Sequence, residues 1–169
     1  PEAQLDRFFF KIVITEPDEA ELVAILGATT GGGGAEPSPV LDRDGIVSLR
    51  DAVRAVVIAE PLVQHAARVV RATQPDAPDA SDDAKRFVRY GAGVRGAQTL
   101  VLAAKAWALL DGRTHVSFAD LERAALPALR HRLVLNFEGE AEGVATDDVV
   151  RGTWKHVPTV PDDVAPLGA

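Results

Sequence analysis

Residues 90–133 read YGAGVRGAQTLVLAAKAWALLDGRTHVSFADLERAALPALRHRL, and the spacing of their apolar side chains decides the fold class. From Arg95 to Leu110, Ala97, Leu100, Val101, Ala104, Trp107 and Ala108 recur at helical intervals and make one broad stripe. Leu102 and Leu109 point the other way, so this helix is expected to be central and buried on two sides. Asp111-Gly112 ends it. Ser117 and Asp120 then have the spacing of a capping box, and Leu121, Ala124, Ala125, Ala128 and Leu129 continue as a second helix. Pro127 lies inside that run and is expected to kink or restart it.

Upstream, Pro61 opens a helix with Leu62, Ala66, Val69 and Val70 on one face, and Ser48 is expected to cap a shorter one carrying Leu49, Ala52, Val53 and Val56. Between these and the long helix, Gln74 to Asp83 is rich in Pro, Asp and Ala and reads as an exposed loop. Thr15-Glu16-Pro17-Asp18 is a helix start, with Leu22, Val23, Ile25 and Leu26 as its stripe and Gly27 as its stop. Ala28 to Pro39, with Gly31 to Gly34 in a row, is a flexible linker. Phe8 to Ile14 (FFFKIVI) is aromatic and β-branched and predicts a strand, for which no comparable partner strand is visible. After Leu135 the pattern weakens to one more short helix, Thr146 to Val157, with Val149, Val150 and Trp154 on a face, and then a tail carrying Pro158, Pro161 and Pro166. The expected fold is mainly α: a bundle of four to five helices preceded by one orphan strand.

Composition narrows the function classes. The chain has 169 residues, 47% hydrophobic and 25% charged, an ordinary globular mix. Its net charge is −7, which opposes binding to a phosphate backbone, so no nucleic-acid partner is expected. No apolar run approaches a membrane span. With no cysteine there is no disulfide, thiolate metal site or cysteine nucleophile, and with no signal segment the expected home is cytoplasmic. Methionine is absent, including at position 1, which predicts that the sequence is a C-terminal piece of a longer protein.

Few residues offer chemistry. The four histidines, at 65, 115, 131 and 156, lack metal-ligand spacing and read as surface or boundary residues, so no metal site is expected. Gly91-Ala92-Gly93-Val94-Arg95-Gly96 matches GxGxxG, but the stretch before it, DDAKRFVRY, is too charged for the buried parallel strand a dinucleotide site needs. The better reading is a sharp turn into a helix. The polyglycine lacks the Gly-Lys-Ser/Thr of a phosphate loop. Two arginines stand out. Arg7 is a charge at the start of an apolar strand, ordinarily a solvated edge residue. Arg95 sits in the first turn of the long helix, where a cation opposes the helix dipole, and a guanidinium there beside a cleft can meet a phosphate in fork geometry.

PEAQLDRFFFKIVI followed by TEPDEAEL resembles the segment after sensor 1 in MoxR-type AAA+ ATPases, and residues 90–133 resemble the lid helices of the same family. The resemblance covers about Pro1 to Leu133. It implies that 1–14 is the last strand of an αβα ATPase core whose other strands precede Pro1. It implies that 15–133 is the helical lid, with loops at 28–39 and 74–83, and leaves 134–169 as a C-terminal extension and tail. Arg7 matches the arginine of the LDRF motif and would be the catalytic arginine finger reaching a neighbouring subunit's γ-phosphate. Arg95 matches the phosphate-binding sensor 2 arginine. The family usually reads GASPRA where this chain reads GAGVRG, so the serine and proline are replaced and the arginine is kept. ATP and Mg2+ would be bound mainly through the missing half, because Walker A, Walker B and sensor 1 are absent from the chain, which should be inactive alone. The implied protein is a chaperone-like ATPase that remodels or activates protein complexes, in a homo-oligomeric ring of hexamer type, with von Willebrand A-domain proteins as partners. The alternative is a free-standing helical interaction module with no nucleotide role; a weaker one, a DNA-binding helical domain, is opposed by the acidic charge.

Overall fold

The computed structural model describes residues 2–31 and 37–159. In chain order the elements are α1 (Glu2–Leu5), α2 (Glu19–Thr30), α3 (Arg43–Ala55), α4 (Glu60–Ala72), α5 (Asp82–Phe87), β1 (Val88–Tyr90), α6 (Val94–Leu110), α7 (Phe118–Leu129), β2 (Val134–Leu135), α8 (Phe137–Ala141) and α9 (Thr146–His156). The architecture is mainly helical, as the periodicity predicts. The chain divides into two compact units, one formed by the residues up to Lys11 together with those from Asp51 on, the other by Ile12–Arg50.

In the larger unit, α6 and α7 form an antiparallel pair joined by a short turn, and α4 and α9 complete the core. Leu100, Leu121, Leu129, Val69, Val149 and Val150 are its largest fully enclosed aliphatic side chains. On α6 the enclosed face is Leu100, Ala103, Ala104 and Ala108, whereas Leu102 and Leu109 remain half-exposed. The helix is thus fully enclosed on one side, not two.

The capping box of α7 forms as its spacing predicts: Asp120 accepts from both the Ser117 amide and hydroxyl, each at 2.8 Å. Asp120 also receives two bonds from Arg113, at 2.6 and 2.7 Å. These donors, the Arg113 guanidinium first, hold its carboxyl down at about 2, below the usual 3.8. The folded state therefore binds the proton more weakly than the unfolded chain. Its contribution to stability is full above pH 3.8 and is lost as the pH falls through 2. Asp120→Ala is expected to cost about 3 kcal/mol at pH 7, through a lost cap and an orphaned cation. In urea unfolding curves the gap to the wild type should narrow toward pH 2.

Several boundaries differ from the sequence expectation. The first long helix begins at Glu19, not Thr15, since Asp18 and Glu21 exchange reciprocal cap bonds of 2.8 and 3.1 Å. It runs through Gly27 to Thr30, and Gly31 caps it, while residues 32–36 of the expected linker lie outside the described residues. Ser48 lies inside α3, whose start is set by Asp42 accepting from the Gly45 amide at 2.8 Å. Pro127 sits within a single helix, and its carbonyl accepts from the Lys11 amide at 3.0 Å.

Phe8–Ile14 is not a strand in this chain. A strand needs a ladder, and among the described residues the only sheet is the antiparallel pair β1–β2, with Val88 opposite Leu135 and Tyr90 opposite Val134. Ile12 and Ile14 are 72% and 89% exposed. The charged stretch before Gly91 is a helix, α5, capped by Ser81, followed by the short strand β1. Beyond Leu133, β2, α8 and α9 pack into the same unit, and α9 covers the Val149 and Val150 side chains the sequence singled out. The tail from residue 160 lies outside the described residues.

His65 is a further correction, since it is neither surface nor boundary. It is fully buried on α4 between the rings of Phe118 and Trp154, at 5.2 and 4.9 Å, with Nδ1 3.3 Å from the Pro158 carbonyl. Burial lowers its pKa and holds it neutral.

Candidate functional site

The turn into α6 is built by close approach. A Cβ on Gly91 would lie 2.4 Å from the Thr73 carbonyl oxygen, so only glycine lets the loop lie against the end of α4. Thr73, itself fully buried, accepts from the Ala92 amide at 2.9 Å and donates to the Val70 carbonyl at 2.6 Å. Gln74 donates to the Ala92 carbonyl at 2.9 Å. The loop before α6, and with it Arg95, is therefore tied to the end of α4 by two side-chain bonds, both to Ala92. GxGxxG here is a packing motif.

Arg95 leaves this helix start with its side chain 54% exposed. Among the described residues it makes one side-chain hydrogen bond, Nη1 to Asp6 Oδ2 at 3.3 Å. A half-exposed ion pair of this kind contributes about 0–1 kcal/mol, so an incoming anion can displace it. Arg7, next in sequence to Asp6, is exposed. Among the described residues no carboxylate lies within ion-pair distance of it. The fold thus brings both arginines that the sequence singled out to the neighbourhood of one carboxylate.

Sequence reasoning missed what holds that neighbourhood together. Three consecutive residues, Arg130-His131-Arg132, grip the backbone of residues 6–11. Arg130 donates to the Lys11 carbonyl at 3.3 Å, and His131 Nε2 lies 3.0 Å from the Phe8 carbonyl. Arg132 donates to the carbonyls of Asp6, Phe8 and Phe9 at 3.0, 2.7 and 3.3 Å. Its Nε meets Asp6 Oδ1 at 3.0 Å, and it also reaches the Thr99 hydroxyl on α6 and the Ala128 carbonyl on α7. The Arg132 side chain is only 2% exposed. Burial lowers its pKa, with Asp6 opposing the shift and the Arg95 charge adding to it. Gly96 leaves the room, since a Cβ there would press to 3.2 Å from Leu129 and 3.4 Å from Arg132 Cδ. Arg132 continues the apolar stripe Leu121, Ala125, Ala128 at helical spacing, and a charge on a buried stripe is the signal that would have found it.

Beside this cluster opens a groove of about 830 Å³, lined among others by Asp6, Lys11, Gly91, Gly93, Arg130 and His131. Burial lowers the pKa of His131, partly offset by the Phe8 carbonyl. Its lining includes Asp6 and Phe8, on either side of Arg7, and Gly93, two residues before Arg95. An exposed guanidinium held by one weak ion pair, as Arg95 is, can exchange that partner for an oxyanion.

The chain is similar to several known proteins. Residues 80–153 match the family described as AAA lid domain. Chaperone MoxR1 of Mycobacterium tuberculosis is 31% identical over 153 residues, 89% of this chain and 40% of that protein. Uncharacterized protein YeaC of Bacillus subtilis is 30% identical over 152 residues, 89% of this chain and 45% of that protein. A crystal structure described as a "putative ATPase" from Cytophaga hutchinsonii superposes with a TM-score of 0.87 at 29% identity, covering 94% of this chain and 48% of that one. The chain spans less than half the length of each of these relatives. Among the described residues no helix is long and apolar enough to cross a membrane. An AAA lid domain at 80–153, similarity to a MoxR chaperone over 89% of its length and a superposition on the Cytophaga protein together place this chain with the lid-carrying part of MoxR-type AAA+ proteins.

Proposed function

We propose that the chain supplies the arginine finger and the sensor 2 lid of an ATPase that couples ATP binding and hydrolysis to remodelling or activation of protein complexes. Arg7 is the catalytic finger, reaching the γ-phosphate held by a neighbouring subunit. Arg95 is the sensor 2 arginine. The observation that carries this reading is the contrast between Arg7 and its neighbours. Asp6, Phe8 and Phe9 are each bonded to a buried arginine, while the Arg7 guanidinium is left exposed with no carboxylate in reach among the described residues. A side chain held at its root and free at its tip suits a group that acts on another molecule.

The residues present fit phosphate oxygens: Arg7 and Arg95 are both accessible cations, and Asp6 gives Arg95 a resting partner. The reading assigns ATP and Mg2+ chiefly to the part of such a protein that these relatives have and this chain does not span. When bound, the nucleotide supplies the phosphoryl group, and this chain's arginines stabilise its charge. A ring of identical subunits follows from a finger that works across an interface; a cytoplasmic location and von Willebrand A-domain partners are part of the same proposal.

The test is Arg95→Ala in the complete protein. Its ATP affinity is expected to fall about tenfold, as suits loss of one charge-assisted contact. ATP-dependent protection of the lid from limited proteolysis should disappear. Unchanged affinity together with unchanged protection would remove the sensor assignment.

A further inference from the structure

We propose that Arg132 and Asp6 form a positioning clamp that fixes the Arg7 guanidinium relative to α6, the helix that carries Arg95. The inference rests on the finger reading above and goes beyond it, since it assigns roles to two residues that touch no nucleotide in that reading.

A free segment such as residues 6–11 would wander, because Phe8–Ile14 has no ladder within the described residues. Its carbonyls are instead satisfied by side chains, and Arg132 alone takes those of Asp6, Phe8 and Phe9. These residues flank Arg7 on both sides, so the Arg7 Cα is bracketed. The same guanidinium bonds the Thr99 hydroxyl one turn beyond Arg95 on α6, and the Ala128 carbonyl on α7. One planar group therefore ties the finger segment, the sensor helix and the neighbouring helix together. A planar fork with five donors in fixed directions can do this where a lysine, with one rotatable ammonium, cannot.

Asp6 closes the circuit. Its Oδ1 receives Arg132 Nε at 3.0 Å and its Oδ2 receives Arg95 at 3.3 Å. The buried bond is the anchor and the exposed one the releasable arm. A triphosphate that takes Arg95 leaves Asp6 wholly to Arg132, so the finger root keeps its position while the sensor moves. Misplacing a transition-state group by about 1 Å can cost about a hundredfold in rate, which is the effect such a clamp prevents.

The experiment compares Asp6→Asn and Arg132→Lys in the complete protein, each alone and each combined with Arg7→Lys. Asp6→Asn keeps shape and removes the charge. Arg132→Lys keeps charge, removes the fork and leaves the Arg95 contact intact. Each alone is expected to lower kcat about tenfold, with the ATP dissociation constant changed less than about twofold. In the Arg7→Lys background, where the finger no longer presents a fork, either change should lower kcat by less than about twofold further. An equal loss with and without Arg7, or a rise in the ATP dissociation constant that accounts for the loss, would overturn the clamp and leave the finger standing. Full turnover by Arg7→Lys and Arg7→Ala alone would overturn the finger reading itself, and the clamp with it.

Discussion

Arg7→Ala in the complete protein is expected to lower kcat about a thousandfold or more while ATP binds within about threefold of its normal affinity. The asymmetry follows from where the charge is needed. In phosphoryl transfer, negative charge builds at the bridging and equatorial oxygens in the transition state, and a guanidinium that meets it only there changes rate and not ground-state binding. Arg7 is suited to that role because, among the described residues, no carboxylate competes for it. It is exposed, and the groups beside it are held by Arg132. Mixing supplies a second readout. Subunits carrying Arg7→Ala keep an intact pocket, and subunits inactivated in their own pocket keep Arg7. If the finger works across the interface, the mixture turns over ATP faster than either alone. A mixture no faster than its components, with kcat of Arg7→Ala near the wild type, would remove Arg7 from catalysis.

The helical fold was legible because long helices with caps carry their own signal. Leu121, Ala124, Ala125, Ala128 and Leu129 are all buried, and the Ser117–Asp120 box forms at the position its spacing marks. Thr15 and Ser48 misled for a shared reason: an aspartate nearby, Asp18 or Asp42, caps instead. FFFKIVI has strand composition, but composition cannot supply a partner, and its backbone is satisfied by Arg130, His131 and Arg132 instead. Of the candidate site, both arginines could be picked from the sequence, one by its place in a helix start and the other by the LDRF string. The clamp could not, because Asp6 and Arg132 are 126 residues apart. The stripe on which Arg132 falls marks it as buried, but only the fold shows that Asp6 is its partner.

The two glycines of the Gly91-Ala92-Gly93 turn should respond in opposite ways to the same methyl group. A Cβ at Gly91 would lie 2.4 Å from the Thr73 oxygen and 2.6 Å from its carbonyl carbon. Both are backbone atoms at the end of α4, so no rotamer change relieves the clash. The loop must lift, breaking the 2.9 Å bonds that Ala92 makes with Thr73 and Gln74. Gly91→Ala is therefore expected to cost about 3 kcal/mol, seen as a lower urea midpoint with unchanged slope. At Gly93 a Cβ would meet nothing within 4 Å. The backbone there is extended, at φ −93° and ψ −165°, a conformation open to any residue, and as the N-cap of α6 it provides no side-chain bond to lose. Gly93→Ala should stay within about 0.5 kcal/mol of the wild type. The consequence reaches the site, since lifting the loop also moves the first turn of α6 and draws Arg95 away from Asp6. Gly91→Ala should then weaken ATP binding even at temperatures where the variant remains folded, and Gly93→Ala should not. Equal stability of the two variants would mean that the Thr73 carbonyl does not set the start of α6.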